Sequence, residues 1–423
     1  MRRHFLVPLL AVLLVPVGLR IWSWPAVQET KLDPVDVAAG KELFTHVWTV
    51  NDPLAGGDGV GPVFNAASCV ACHFQGGLGG AGSRKENVTT YQVQREVHEH
   101  NQRHQRVRVI AGVLHAQSTS PEFLETMRHL DPTLPAISTP TLEMLNHGDN
   151  RMAGAGMSIF SQRNTPALFG AKLIDEIPDR EIIAIARKQL LAATLTNADQ
   201  ERAAVGRVLF SKDGKVGKFG WKAQTVSLLD FVQGACANEL GLSNPNQPQP
   251  VSIAKSDYVA PGDDLTLKQC QQMASFIAAL PNPRQELPQQ PEERANVHHG
   301  RKVFASVGCA ECHVPNVGSV QGIYSDLLLH RMGKELEGRG HYDAPSDDGD
   351  PTIVAQPDEW RTPPLWGIAD SAPYLHDGRA KTLEEAIQLH AGQGLESARR
   401  FARSTHEEQT QLIAFLKSLR APN

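Results

Sequence analysis

The chain has 423 residues, 41% hydrophobic and 21% charged, with a formal net charge of −5. That leaves room for two or three domains with packed cores. It excludes nucleic acid as a partner, which takes a basic footprint: Arg2, Arg3 and Arg20 all lie in the acid-free first 26 residues, so the remainder is more acidic still.

Residues 1–26 read as a targeting segment, with basic Met1 to His4 followed by an apolar run from Phe5 to Leu19. The run is short for a transmembrane helix and suits a signal peptide. Bulky Ile21, Trp22 and Trp24 make a poor cleavage site, so an N-terminal membrane anchor stays open. A helix is predicted over 34–48, with Val37, Gly40, Leu43, Phe44 and Val47 on one face. A Gly-rich loop, 55–65, then leads to Cys69-Val-Ala-Cys72-His73, and Gly76 to Gly82 lets backbone approach whatever that motif holds.

Residues 93–115 alternate in character and read as strand or irregular structure. His98, His100 and His104 there fit a solvated face better than a metal site. Ser161 to Gly170 leads through Asp175, Glu176 and Asp179 into a helix over 180–195. Lys218-Phe-Gly-Trp221-Lys222 precedes a helix through Leu228, Leu229, Phe231 and Val232, and another helix runs from Leu265 to Leu280. The Pro-rich stretch 282–294 reads as a stiff linker. It divides an N-terminal unit, 34–281, from a C-terminal unit, 295–423.

The second unit opens with a helix over 295–305 that enters Cys309-Ala-Glu-Cys312-His313. Tyr324 to Met332 follows, then an acidic, Gly-rich loop from Gly338 to Pro351. Thr382-Leu-Glu-Glu385 and Thr405-His-Glu-Glu408 are capping boxes that open the closing helices.

Cys-x-x-Cys-His is the attachment pattern of c-type haem. Two thiols add across the vinyl groups, and the adjacent histidine ligates the iron. One copy alone would also fit a zinc half-site or a redox pair. Two copies in similar contexts predict two covalently bound c-type haems, at Cys69, Cys72 and His73 and at Cys309, Cys312 and His313. Such attachment is completed outside the cytoplasm in bacteria, so the periplasm is the expected location. Of the six cysteines this leaves Cys236 and Cys270, which are expected to form a disulfide in an oxidising compartment; two buried thiols are the alternative.

The halves repeat in order. Gly40-Lys-Glu-Leu-Phe44 answers Gly300-Arg-Lys-Val-Phe304, and the two haem motifs answer each other. Thr165-Pro-Ala-Leu-Phe-Gly170 answers Thr362-Pro-Pro-Leu-Trp-Gly367, and Phe276 to Leu280 answers Phe415 to Leu419. The predicted fold is mainly α, two cytochrome c-like domains in tandem with the first enlarged by insertions. The first half has no counterpart of Tyr374-Leu-His-Asp-Gly378, so duplication assigns no distal ligand to the first haem.

The chain resembles the bacterial di-haem cytochrome c peroxidase superfamily, and within it the di-haem oxidoreductase branch, sometimes described as thiol oxidoreductase. The resemblance runs from about residue 36 to 420. It is carried by Gly61-Pro-Val-Phe-Asn65, Arg163-Asn-Thr-Pro-Ala-Leu168, Phe219-Gly-Trp-Lys-Ala223, Tyr324 to His330, and Pro373-Tyr-Leu-His-Asp-Gly-Arg379 with Thr382 to Ala386. It implies reduction of hydrogen peroxide at the first haem and electron relay by the second. It also implies that His390, on the helix after the His-Asp-Gly block, takes the distal position usually held by Met; Met332 is the rival. For the acid–base group at the first haem the candidate is Glu176, with Asp175 or Asp179 as substitutes. Met157 or His147 would instead close that haem and make it a relay. Trp221 fits a core residue better than a hopping station between the haems. The implied electron donor is a small redox protein or a quinol-linked one, and calcium between the domains is left open. Two other functions compete: a pure electron-transfer cytochrome c, and a di-haem enzyme that oxidises a partner protein.

Overall fold

The apolar stretches marked in the sequence fold as helices. In chain order these are α1 (Pro34–Thr45), α2 (Ala171–Asp175), α3 (Asp179–Leu195), α4 (Leu228–Leu240), α5 (Leu267–Ala278), α6 (Pro291–Ser306), α7 (Leu383–Gln388), α8 (Leu395–Arg403) and α9 (His406–Lys417). The protein is seen as a computed structural model that describes residues 32–97, 106–119, 151–153, 156–196, 203–250, 258–340, 342 and 353–422. The targeting segment, His98, His100, His104 and His147 lie outside the described residues. From Asp33 onward the chain forms one compact unit. Helix starts are chemically marked. Asp33 accepts from Val35 N at 2.9 Å, and Thr266, Thr382 and Thr405 close capping boxes with Gln269, Glu385 and Glu408.

One helix crossing is built twice: α1 lies on α5, and α6 lies on α9. A Cβ at Gly40 would stand 1.9 Å from the Gln272 carbonyl oxygen, and one at Gly300 would stand 1.8 Å from that of Gln411. Glycine alone lets the backbones come so close. Phe44 then meets Phe276 at 5.1 Å and Phe304 meets Phe415 at 5.3 Å. Phe44 reaches His73 and Phe304 reaches His313, each at 6.4 Å.

The expectation of a mainly α fold is corrected between the first motif and Thr165. Overall the structure is mixed, 39% helical and 15% strand. β1 (Val63–Phe64) precedes the motif; after it come β2 (Val88–Val97), β3 (Arg106–Leu114), β4 (Gln117–Ser118), β5 (Arg151–Ala153) and β6 (Gly156–Arg163). Four of them form an antiparallel sheet in the order β3-β2-β6-β5. β2 begins Val-Thr-Thr-Tyr-Gln-Val, and β-branched and aromatic residues favour a pleated surface over a helix. The sheet ends on Arg163, which leads straight into Asn164 and Thr165.

The remaining strands are short: β7 (Arg284–Gln285), the hairpin of β8 (Asn316–Val317) and β9 (Val320–Gln321), the pair β10 (Leu329–Arg331) and β11 (Glu359–Arg361), and β12 (Leu419–Arg420). The Pro-rich stretch is not a free spacer. β7 pairs with β12, Glu286 N donates to Ser418 O at 2.8 Å, and α6 begins at Pro291 rather than 295, since proline suits a first helical turn. The main core also crosses this boundary: it joins Phe44, Trp48, Ile182 and Leu265 to Val317, Ile323, Leu327 and Trp366. A second core around Phe304, Phe401, Leu412 and Phe415 belongs to the second half alone.

The expected disulfide is also corrected. Cys236 in α4 and Cys270 in α5 are buried free thiols. They pack in the main core as small apolar side chains.

Candidate haem sites

Each Cys-x-x-Cys-His motif is one 3-10 turn, Cys69–Ala71 and Cys309–Glu311. His73 N closes on Cys69 O at 3.0 Å and His313 N on Cys309 O at 2.9 Å. The turn brings both cysteines and the histidine of each motif to the wall of one cavity. His73 Nδ1 lies 3.2 Å from Gly80 O, within the predicted Gly-rich turn, and His313 Nδ1 lies 2.9 Å from Tyr324 O. A carbonyl only accepts, so Nδ1 carries the proton and Nε2 keeps its lone pair. Burial pushes both imidazoles down to about 4, so they are neutral at physiological pH. A neutral Nε2 beside two thiols in an apolar cavity is the donor set that haem iron and its vinyl groups require.

The cavity at His313 holds about 180 Å³ and is also lined by His390, Met332 and Trp360. His390 follows α7, and its Nδ1 lies 2.7 Å from Ala386 O. It therefore has the same tautomer as the two motif histidines, with Nε2 free. Met332 sits beside it: a Cβ at Gly394 would stand 3.1 Å from His390 Cδ2 and 3.3 Å from Met332 Cε. Next to the motif, His330 Nδ1 lies 3.6 Å from Cys312 Sγ and His330 Nε2 lies 2.9 Å from Asp326 Oδ2. Gln393 and Gln189 complete this buried pair, each at 2.8 Å.

The cavity at His73 is larger, about 460 Å³. Among the described residues, no second histidine or methionine lines it; across it stand Trp221, Phe231, Glu239 and Tyr342. Glu239 is in the last turn of α4. Its Oε2 accepts from Asn65 Nδ2 at 2.8 Å, Tyr342 also donates to it, and its Oε1 is out of solvent with no partner. Burial pushes this carboxyl up to about 6. Glu239 is the functional candidate that sequence reasoning missed. Its one signal was a carboxylate in the last turn of a largely apolar helix, Cys236-Ala-Asn-Glu239-Leu.

Glu176, the acid–base residue expected from the sequence, does not line this cavity. After Gly170 the helix α2 packs into the main core through Ala171 and Ile174. Glu176 is left at its end, half-exposed and paired with Lys172 at 3.8 Å. Asp175 accepts from Leu228 N at 2.9 Å, and Asp179 accepts from Val216 N at 3.0 Å; both tie segments together. Met157 lies in β6.

Trp221 lines both cavities, held by its Nε1 donating to Asn164 O at 2.8 Å. It stands between the sites rather than in the main core. Trp360 lines the smaller cavity with His376 stacked on its ring at 3.6 Å.

Two motif turns with neutral, oriented histidines, in cavities that share a tryptophan, have the donor sets of a di-haem protein. The chain belongs to the family described as "Di-haem oxidoreductase, putative peroxidase", which matches residues 155–419. That stretch takes in Glu239, the second motif and His390; the first motif precedes it. Among solved structures, the chain is similar to hydrazine synthase of Kuenenia stuttgartiensis, with 15% identity and a TM-score of 0.42 over 99% of this chain and 100% of that one. It is also similar to a MauG-like protein associated with microbial copper homeostasis, with 19% identity and a TM-score of 0.30 over 58% of this chain and 90% of that one. No curated protein matches.

Proposed function

We propose that the protein is an exported di-haem c-type oxidoreductase that reduces peroxide. In this reading it is built from two cytochrome c-like lobes in tandem. The haem at Cys69, Cys72 and His73 is the reaction site. The haem at Cys309, Cys312 and His313 is closed by His390 and relays electrons. The observation that carries the reading is the contrast between the cavities: a prepared imidazole lines the one at His313, and a buried carboxylate with a spare oxygen lines the one at His73.

Haem iron, when bound, supplies the centre at which the oxygen–oxygen bond breaks and electrons are delivered. Reduction of hydrogen peroxide to two waters consumes two electrons and two protons. Glu239 Oε1 takes the proton from one peroxide oxygen and returns it to the other, so that water rather than hydroxide departs. Asn65 and Tyr342 fix the carboxyl through its hydrogen bonds. A value near 6 lets it hold and release a proton close to neutral pH. Electrons come from a small redox protein or a quinol-linked donor and cross by way of Trp221. Export to the periplasm rests on residues 1–26 and on the haem motifs, and cell fractionation tests it.

The decisive experiment is turnover of hydrogen peroxide by the two-haem protein with a reduced small cytochrome as donor. Turnover that Glu239→Gln slows supports the reading. Intact haems without turnover favour the electron-carrier function.

A further inference from the structure

Two buried arginines and the half-buried Lys222 line the region where the two cavities meet. Lys222 Nζ lies 3.6 Å from the centre of the Trp360 ring and Arg163 Cζ lies 4.7 Å from it, while the Arg361 guanidinium donates through Nε to Gly220 O, beside Trp221, at 2.8 Å. Arg163 and Lys222 line the larger cavity, and Arg361 lines the smaller. The arginines are 6% and 8% exposed. Burying a charge is costly unless a counter-charge accompanies it.

The carboxylates nearby are already engaged elsewhere. Glu359 pairs with Arg207 at 2.5 Å, Asp377 with Arg379 at 2.6 Å and Asp326 with His330 at 2.9 Å. Among the described residues, the three cations bond only to neutral groups. Lys222 spends its donors on the carbonyls of Gln356, Pro357 and Glu359, at 3.0, 2.9 and 2.6 Å. Arg163 donates to Gln162 O at 2.9 Å and Arg339 O at 3.4 Å; Arg361 donates to Gly220 O at 2.8 Å and Thr362 O at 3.4 Å. A guanidinium carries five donors in a planar fork, more than these bonds use, and the fork matches a carboxylate. Desolvation correspondingly draws both guanidinium groups down to about 10.

Haem carries two propionate carboxylates, which are the missing anions. We infer that Arg163 and Arg361 bind haem propionates, Arg163 at the larger cavity and Arg361 at the smaller. The inference rests on the two-haem reading and gives the cluster a consequence: each arginine holds up the reduction potential of its own haem, since nearby positive charge favours the reduced form.

The test uses full-length protein shown by intact mass to carry two haems. Each haem is titrated potentiometrically through its own visible band, and its propionate-bending band is read by resonance Raman. Arg163→Gln should lower the potential and shift the propionate band of the haem at Cys69 only, and Arg361→Gln should do so for the haem at Cys309 only. The Arg→Lys variants keep the charge and lose the fork, so the potential should recover while the band stays shifted. If the Gln variants do not accumulate, the Lys variants decide the matter by the band alone. Unmoved propionate bands in two-haem variants would overturn the inference, even with altered potentials, because the counter-charges would then lie elsewhere in the chain. Protein without haem would instead refute the reading beneath it.

Discussion

Gly40 and Gly300 sit at matching points of two helix crossings, where an added Cβ would stand 1.9 and 1.8 Å from a carbonyl oxygen. The cavities beyond them do not match: about 460 Å³ with Glu239 in one, about 180 Å³ with His390 in the other. The crossing and the motif turn fix the proximal side of each site in the same way. What differs is the chain that comes after. The cavity at His73 takes its far wall from a sheet strand, α4 and the second-half residue Tyr342, and the cavity at His313 from the segment that follows α7. On the proposed reading the shared scaffold supplies each haem position, and the chain that builds the far wall makes that position open or closed.

The largest effect should come from removing the shared part. Replacing Cys69 and Cys72 together by Ser should cost one covalent haem and spare the other, seen as the loss of one haem mass after acid–acetone extraction. Loss of both, or of neither, would break the equivalence of the two motifs.

Next in size is Glu239→Gln. Removing a general acid–base group should slow peroxide turnover roughly 100- to 10,000-fold while both haem spectra stay in place. On the proposed mechanism the carboxyl acts first as a base, and burial raises its value to about 6. The rate per enzyme and substrate should therefore fall as pH drops through about 6, and the variant should lose that limb. The stability sign is opposite to that of a salt-bridged acid. A raised carboxylate destabilises the fold as pH rises past the ordinary carboxylate range toward 6, so the variant should gain thermal stability at neutral pH and not at low pH.

A smaller and symmetrical effect is expected from the crossings. Gly40→Ala and Gly300→Ala each force a methyl into backbone and should cost about 1–3 kcal/mol or more, read from the unfolding midpoints. A large cost at one site and none at the other would show that the two clasps are not equivalent. Smallest is Trp221→Phe, which should slow electron passage between the haems in single-turnover experiments and leave each haem's spectrum unchanged. An unchanged rate would remove Trp221 from the path.

The proximal side was legible because it is written locally: Gly-x-x-x-Phe, the Cys-x-x-Cys-His turn and the capping boxes each lie within a few residues. His390 was reachable through the block that precedes it, and the structure gives it the same Nδ1 restraint as His73 and His313. Glu239 was not legible, because its environment is assembled from Asn65 and Tyr342, both far away in the chain. Closeness in sequence to Thr165-Pro made Glu176 attractive, but the turn at Gly170 commits that helix to the core. Cys236 and Cys270 looked like a pair because they were the two left over. Composition cannot tell a bridge from two thiols buried on adjacent helices. The sheet in the insertion was half-visible as alternation, and its partner strands are separated by residues whose pattern carries no period.

The claim that one haem is open and the other closed is tested most directly by cyanide titration followed by electron paramagnetic resonance, in the resting and the one-electron-reduced protein. The account predicts that cyanide shifts a single haem, the one absent from the Cys69/Cys72 variant, and that His390→Ala opens the second haem to cyanide as well. Cyanide binding to neither haem in either state, or first to the haem at Cys309 in the unmodified protein, would contradict it.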